Sequence, residues 1–98
     1  MKEIMAFEVE QLVKENKNIE LIDVRETEEV VAGKIPAAKN IPLGLIEFRM
    51  SELDKSKEYI MICRSGARSG RATEFLESHG FNVKNMAGGM IAWQGEVE

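Results

Sequence analysis

The stretch Tyr59-Ile60-Met61-Ile62-Cys63-Arg64-Ser65-Gly66-Ala67-Arg68-Ser69-Gly70-Arg71 sets the architecture of the chain. Its first four residues form a short apolar run that reads as a buried strand. In the following Ala72-Thr73-Glu74-Phe75-Leu76-Glu77, the residues Ala72, Phe75 and Leu76 recur at helical spacing. The only cysteine therefore stands where a strand gives way to a helix, in a turn with three arginines and no acid. A helix start offers unpaired N–H groups and the positive end of the macrodipole. The two glycines let the turn curl so that successive N–H groups point inward as an anion cradle. A thiol in that field is expected to give up its proton readily, favoured by both dipole and arginines.

Outward from this turn, strand and helix patterns alternate. Glu3-Ile4-Met5-Ala6 reads as a short first strand, and Val9, Leu12 and Val13 as one apolar helix face. Leu21-Ile22-Asp23-Val24 reads as a buried strand, followed by acids Glu26, Glu28 and Glu29 at a helix start. Gly33 ends that helix. Pro36 and Pro42 bracket an extended piece with a short strand inside it. Leu43, Ile46, Met50 and Leu53 fall on one helical face. The helix after Cys63 is expected to run to about Ser78, closed by His79-Gly80. Phe81-Asn82-Val83 reads as the last strand, Gly88-Gly89 as a turn, and Met90 to Trp93 as a final short helix. The alternation predicts an α/β fold: a parallel sheet of about five strands with helices on both faces. Ligands of such sheets bind beyond the carboxyl ends of the strands, where Cys63 and Arg25 both lie.

The 98 residues, 44% hydrophobic and 31% charged, suit a single domain over residues 1–98. A net charge of −4 argues against a general nucleic-acid binder. No apolar run is long enough to span a membrane. No internal disulfide is possible with one cysteine, which agrees with a reducing, cytoplasmic setting. One cysteine and one histidine make no metal-ligand set, so no metal is expected. Residues Gly95 to Glu98 are expected to be mobile.

Four stretches together resemble the rhodanese family of sulfurtransferases. They are the cysteine turn, Leu21-Ile22-Asp23-Val24-Arg25-Glu26, Gly33-Lys34-Ile35-Pro36-Ala37-Ala38-Lys39-Asn40-Ile41-Pro42, and Met86-Ala87-Gly88-Gly89-Met90-Ile91-Ala92-Trp93. Their order and spacing are similar to a single rhodanese domain over nearly the whole chain. The resemblance implies that Cys63 takes a sulfane sulfur from a small sulfur-containing anion, such as thiosulfate, and passes it to cyanide, a thiol or a protein. No cofactor is implied. Two positions depart from the family pattern: Lys34, where many members have histidine, and Ala37, where they have glycine.

The residues around Cys63 invite specific roles. Ser65, Gly66 and Ala67 would act through their N–H groups. Ser69 would cap the helix, or donate its hydroxyl to the thiolate. Arg68 could reach inward to brace the turn, whereas Arg64 is better placed to meet an incoming anion. Arg71 reads as a surface charge. Asp23, an acid within an apolar strand, requires a partner; an arginine or N–H of the cysteine turn is expected. Arg25 reads either as a substrate contact or as an ion pair with Glu26 or Glu29. His79 lies about 15 Å along the helix from its start, too far to serve as a base.

Two other activities compete with sulfur transfer. Cysteine-dependent phosphatases cradle an anion in a similar turn, but with five residues between cysteine and arginine. Here four separate Cys63 from Arg68, a smaller ring that suits one sulfur better than a phosphate. A non-catalytic, rhodanese-like regulatory module would typically lack the cysteine.

Overall fold

The computed structural model describes residues 1–98. In chain order the elements are β1 (Glu3–Met5), α1 (Ala6–Lys14), β2 (Glu20–Asp23), α2 (Thr27–Val31), β3 (Lys39–Asn40), α3 (Ile46–Arg49), β4 (Glu58–Ile62), α4 (Ala67–Ser78), β5 (Asn82–Ala87) and α5 (Gly89–Ala92). The five strands form one sheet in the order β1-β5-β4-β2-β3, and every pairing is parallel.

Strand side chains alternate between faces, so a strand covered on both sides must be apolar throughout. β4 shows this directly. Tyr59 and Met61 join Ile22, Val24 and Val83 in a core closed by Ala72 and Leu76 of α4 and Ile46 of α3. Ile60 and Ile62 join Leu21 and Met86 in a second core, closed by Ala6 and Val9 of the α1 side and by Trp93. Helices thus cover both faces, as the alternation predicts.

Three local expectations are corrected. The single helical face expected from Leu43 to Leu53 is broken into a 3-10 turn at Leu43–Leu45, the short α3, and a second 3-10 turn at Met50–Glu52. Its apolar residues still pack on the α4 side of the sheet. The last strand starts one residue later than Phe81 and continues to Ala87, because the polar Lys84 and Asn85 hide the pattern while β1 and β4 both pair with that stretch. The segment after Gly95 is tied down. Lys34 and Glu98 exchange two backbone hydrogen bonds of 3.1 and 2.9 Å, and Trp93 Nε1 donates to the Glu96 carbonyl at 3.1 Å. No helix is long and apolar enough to cross a membrane.

With all strands parallel, β2, β4 and β5 end on one edge of the sheet. Arg25, Cys63 and Gly88 follow those three ends and are gathered there by topology.

Candidate active site

Cys63 follows β4 directly, and α4 begins four residues later with Gly66 as its N-cap at φ +103°. That left-handed backbone, natural for glycine, turns the chain back over the sulfur. Cys63 Sγ accepts the Gly66 N–H at 3.0 Å and the Ser69 hydroxyl at 3.2 Å. The residue is only 1% exposed, so a reactant reaches the sulfur only through the mouth of the turn.

The turn's carbonyls are held away from the sulfur by α5. Met90 N–H donates to the Cys63 carbonyl at 2.9 Å, and Ile91 N–H to the Arg64 carbonyl at 3.0 Å. Such an approach requires Gly89, at φ +56°. A Cβ there would sit 2.5 Å from the Arg64 oxygen and 2.6 Å from the Cys63 oxygen. With these carbonyls bound from behind, the front of the turn is left to N–H groups, the arrangement of an anion nest.

Burial pushes the Cys63 thiol up, but the Ser69 hydroxyl and the N–H groups of Ser69, Gly66 and Ser65 more than offset it. The thiol lies below its ordinary value. The direction agrees with the sequence reading, and so does the part played by the helix-start N–H groups; the arginines are not among the leading causes.

Arg68, expected to reach inward and brace the turn, makes its side-chain hydrogen bonds to α2 instead. Its guanidinium grips Glu29 of α2 with both arms, Nη1 to Oε1 at 2.6 Å and Nη2 to Oε2 at 2.8 Å. The Arg68 hydrogen bonds hold the Glu29 carboxyl down at about 2. Asp23 likewise finds its partner elsewhere than the cysteine turn. Arg25 donates to it from Nε at 3.0 Å, Nη2 at 2.8 Å and its backbone N–H at 3.1 Å. The same guanidinium reaches the Gly33 carbonyl at 2.8 Å and the Glu29 carbonyl at 3.4 Å. Arg25 thus pairs with neither the Glu26 nor the Glu29 carboxylate, and it is buried.

Ser65, Ala67, Arg64 and Arg71 are exposed. Arg64 and Arg25 border a shallow hollow of about 360 Å³ with Glu29, Ala32, Met90 and Ile91. Arg71 faces a different groove, beside Leu43, Gly44 and Phe75. His79 stands at the far end of α4, its ring 4.4 Å from that of Phe75. Lys34 Nζ donates to the carbonyls of Ile35 and Pro36, and Ala37 is exposed.

One residue of the site was missed in the sequence: Asn85, 2% exposed, in β5. Its Nδ2 donates to the Gly66 carbonyl at 3.1 Å, and its Oδ1 meets the Ser69 hydroxyl. The signal available was a carboxamide on the same strand face as the buried Val83, two positions along.

The chain is similar to known proteins over nearly its whole length. The model of the Rhodanese-like domain family matches residues 5–96. A Bacillus subtilis protein named "Putative sulfurtransferase YtwF" is 45% identical over 98 residues, spanning 100% of this chain and 95% of that protein. A protein of Allochromatium vinosum named "Sulfurtransferase" is 38% identical over 94 residues, spanning 95% of this chain and 88% of its own. The crystal structure of a rhodanese-like domain protein from Staphylococcus aureus matches with a TM-score of 0.94 at 37% identity, covering 100% of this chain and 97% of that one. With a family match over nearly its whole length and relatives of this identity, the chain belongs to the rhodanese-like domain family.

Proposed function

We propose that this protein is a sulfurtransferase that carries sulfane sulfur as a persulfide on Cys63. The observation that supports this most is the sulfur itself: the only thiol, at a helix start, held by the Gly66 N–H and the Ser69 hydroxyl and lowered by them. The thiolate attacks the outer sulfur of a donor such as thiosulfate or a polysulfide. A bond forms between Sγ and that sulfur. The donor's own S–S bond breaks, and sulfite leaves with its electron pair when thiosulfate is the donor. The transferred sulfur then bears the negative charge, facing the N–H groups of Ser65, Gly66 and Ala67, whose dipoles are already oriented. Cyanide, a thiol or a protein nucleophile next attacks the terminal sulfur, and the Cys63 thiolate departs as leaving group. This is two-step, covalent chemistry.

Arg64, exposed at the mouth of the turn, draws in the anionic donor, while the Asp23–Arg25 pair braces the neighbouring backbone. A reducing cytoplasm fits a reaction that starts from a free thiol. The phosphatase alternative has less support from the turn itself, where four residues and not five separate Cys63 from Arg68.

Intact-protein mass spectrometry tests the reading. Thiosulfate without acceptor should add the mass of one sulfur atom at Cys63, and cyanide should remove it as thiocyanate. Cys63→Ser should abolish both. Absence of the adduct with thiosulfate and polysulfide, alongside hydrolysis of an aryl phosphate, would overturn it.

A further inference from the structure

Ser69 Oγ lies 3.2 Å from Cys63 Sγ and 2.5 Å from Asn85 Oδ1. A hydroxyl carries one proton, so it donates to one of the two at a time. The orientation of Asn85 is fixed independently. The Gly66 carbonyl can only accept, so the carboxamide must turn its NH₂ group that way, at 3.1 Å, and its oxygen toward Ser69. The trio is fully buried, with Ser69 0%, Cys63 1% and Asn85 2% exposed, so no water need intervene.

We propose that Asn85 is a positioning residue for Cys63, holding the Ser69 hydroxyl proton when the sulfur is uncharged and yielding it when the sulfur is a bare thiolate. In the thiol, S–H donates to Ser69 Oγ, and the hydroxyl donates to Asn85. In the thiolate, the hydroxyl rotates about its Cβ–Oγ bond to the sulfur; no bond to hydrogen breaks in Ser69. Once Cys63 carries a second sulfur, the charge moves outward to that atom, and Sγ becomes a neutral, weak acceptor. The hydroxyl then returns to Asn85 and is never left unpaired, which for a buried group would be unfavourable. Asn85 therefore favours the loaded sulfur over the bare thiolate. This rests on Cys63 being the sulfur carrier.

Among the charged groups on the elements around the trio, Arg71 of α4 is exposed and Lys84 of β5 pairs with Glu58 of β4. Arg68 of α4 is held by Glu29 of α2, and Asp23, the last residue of β2, and Arg25 just past it are held by each other. Glu3 of β1 places Oε2 3.5 Å from Asn85 Nδ2, and Arg64 is exposed.

The test is the rate of Cys63 alkylation by iodoacetamide against pH, which needs no sulfur donor and so is separate from the persulfide experiment. Ser69→Ala should move the midpoint upward, and Asn85→Ala should move it downward. Each corresponds to about a fivefold change in thiolate fraction below the midpoint, the size of one hydrogen bond. In the Ser69→Ala background, Asn85→Ala should move nothing. An upward movement from Asn85→Ala, or equal displacement in both backgrounds, would overturn the proposal. If Asn85→Ala does not fold, the Asn85 side-chain amide signal is followed by NMR through the Cys63 titration. It should move with the thiol in the unmodified protein and lose most of that movement in Ser69→Ala; equal movement in both refutes the relay.

Discussion

Arg68 ends the cysteine turn, yet its charge serves α2. The Glu29 carboxyl is held at about 2, against 4.5 in the unfolded chain. A carboxyl lowered on folding contributes stability that is complete above its unfolded value and lost as pH falls through its folded one. The pair is about a third exposed, so screening limits the contribution to about 1 kcal/mol. Arg68→Ala should therefore cost about that much at neutral pH, and the gap should close between pH 4.5 and 2. Arg71→Ala should stay within about 0.5 kcal/mol throughout. Urea midpoints measured across that range decide it; an Arg68→Ala deficit that persists unchanged at pH 2 would exclude the Glu29 pair as its cause. The need of Asp23 for a partner was legible in the sequence. That Arg25 supplies it was also within reach, since residues two apart leave a strand on the same face. Which carboxylate takes Arg68 was not: Glu29 is 39 positions away and meets it only after the sheet has formed.

Among elements, α5 is a single turn of helix that shapes the site. In the sequence Gly88-Gly89 signals a turn, and the turn is present. What the glycines cannot reveal alone is that another backbone passes against them. Gly89→Ala would drive a Cβ to 2.5 Å from the Arg64 oxygen at a φ of +56°. It should cost about 2 kcal/mol or more and detach the Met90 and Ile91 N–H groups from the turn's carbonyls. Gly44→Ala, with nothing within 4 Å of the added carbon, should stay within about 0.5 kcal/mol. Thermal melts and persulfide formation measure both, and a Gly89→Ala protein as stable and active as Gly44→Ala would show that the clamp is dispensable. β4, the strand before α4, was legible because its apolar run is continuous. β5 was read short because Lys84 and Asn85 break its pattern, and the Asn85 contribution to the cysteine turn went unseen with it.

At the scale of the molecule, alternation of strand and helix was enough to expect a parallel sheet, but not to order its strands. That order carries a kinetic consequence. β1 has one neighbour, β5, and Glu3 pairs with Asn85, 82 positions later. Contacts of such separation pay loop-closure entropy before they return any stability, and they form late. Asn85 stands at that junction, pairing with Met61 of β4 on one side and Glu3 of β1 on the other, so the strand that braces the turn is held on both sides only once β1 has docked. Cys63 should accordingly behave as an ordinary cysteine through most of refolding and acquire its reactivity in the final phase. Pulsed alkylation after a denaturant jump would record that lag, and full reactivity before β1 amides gain protection from exchange would contradict it. The nucleophile is thus timed by the topology: the sheet switches on its own chemistry only as its first and last strands meet.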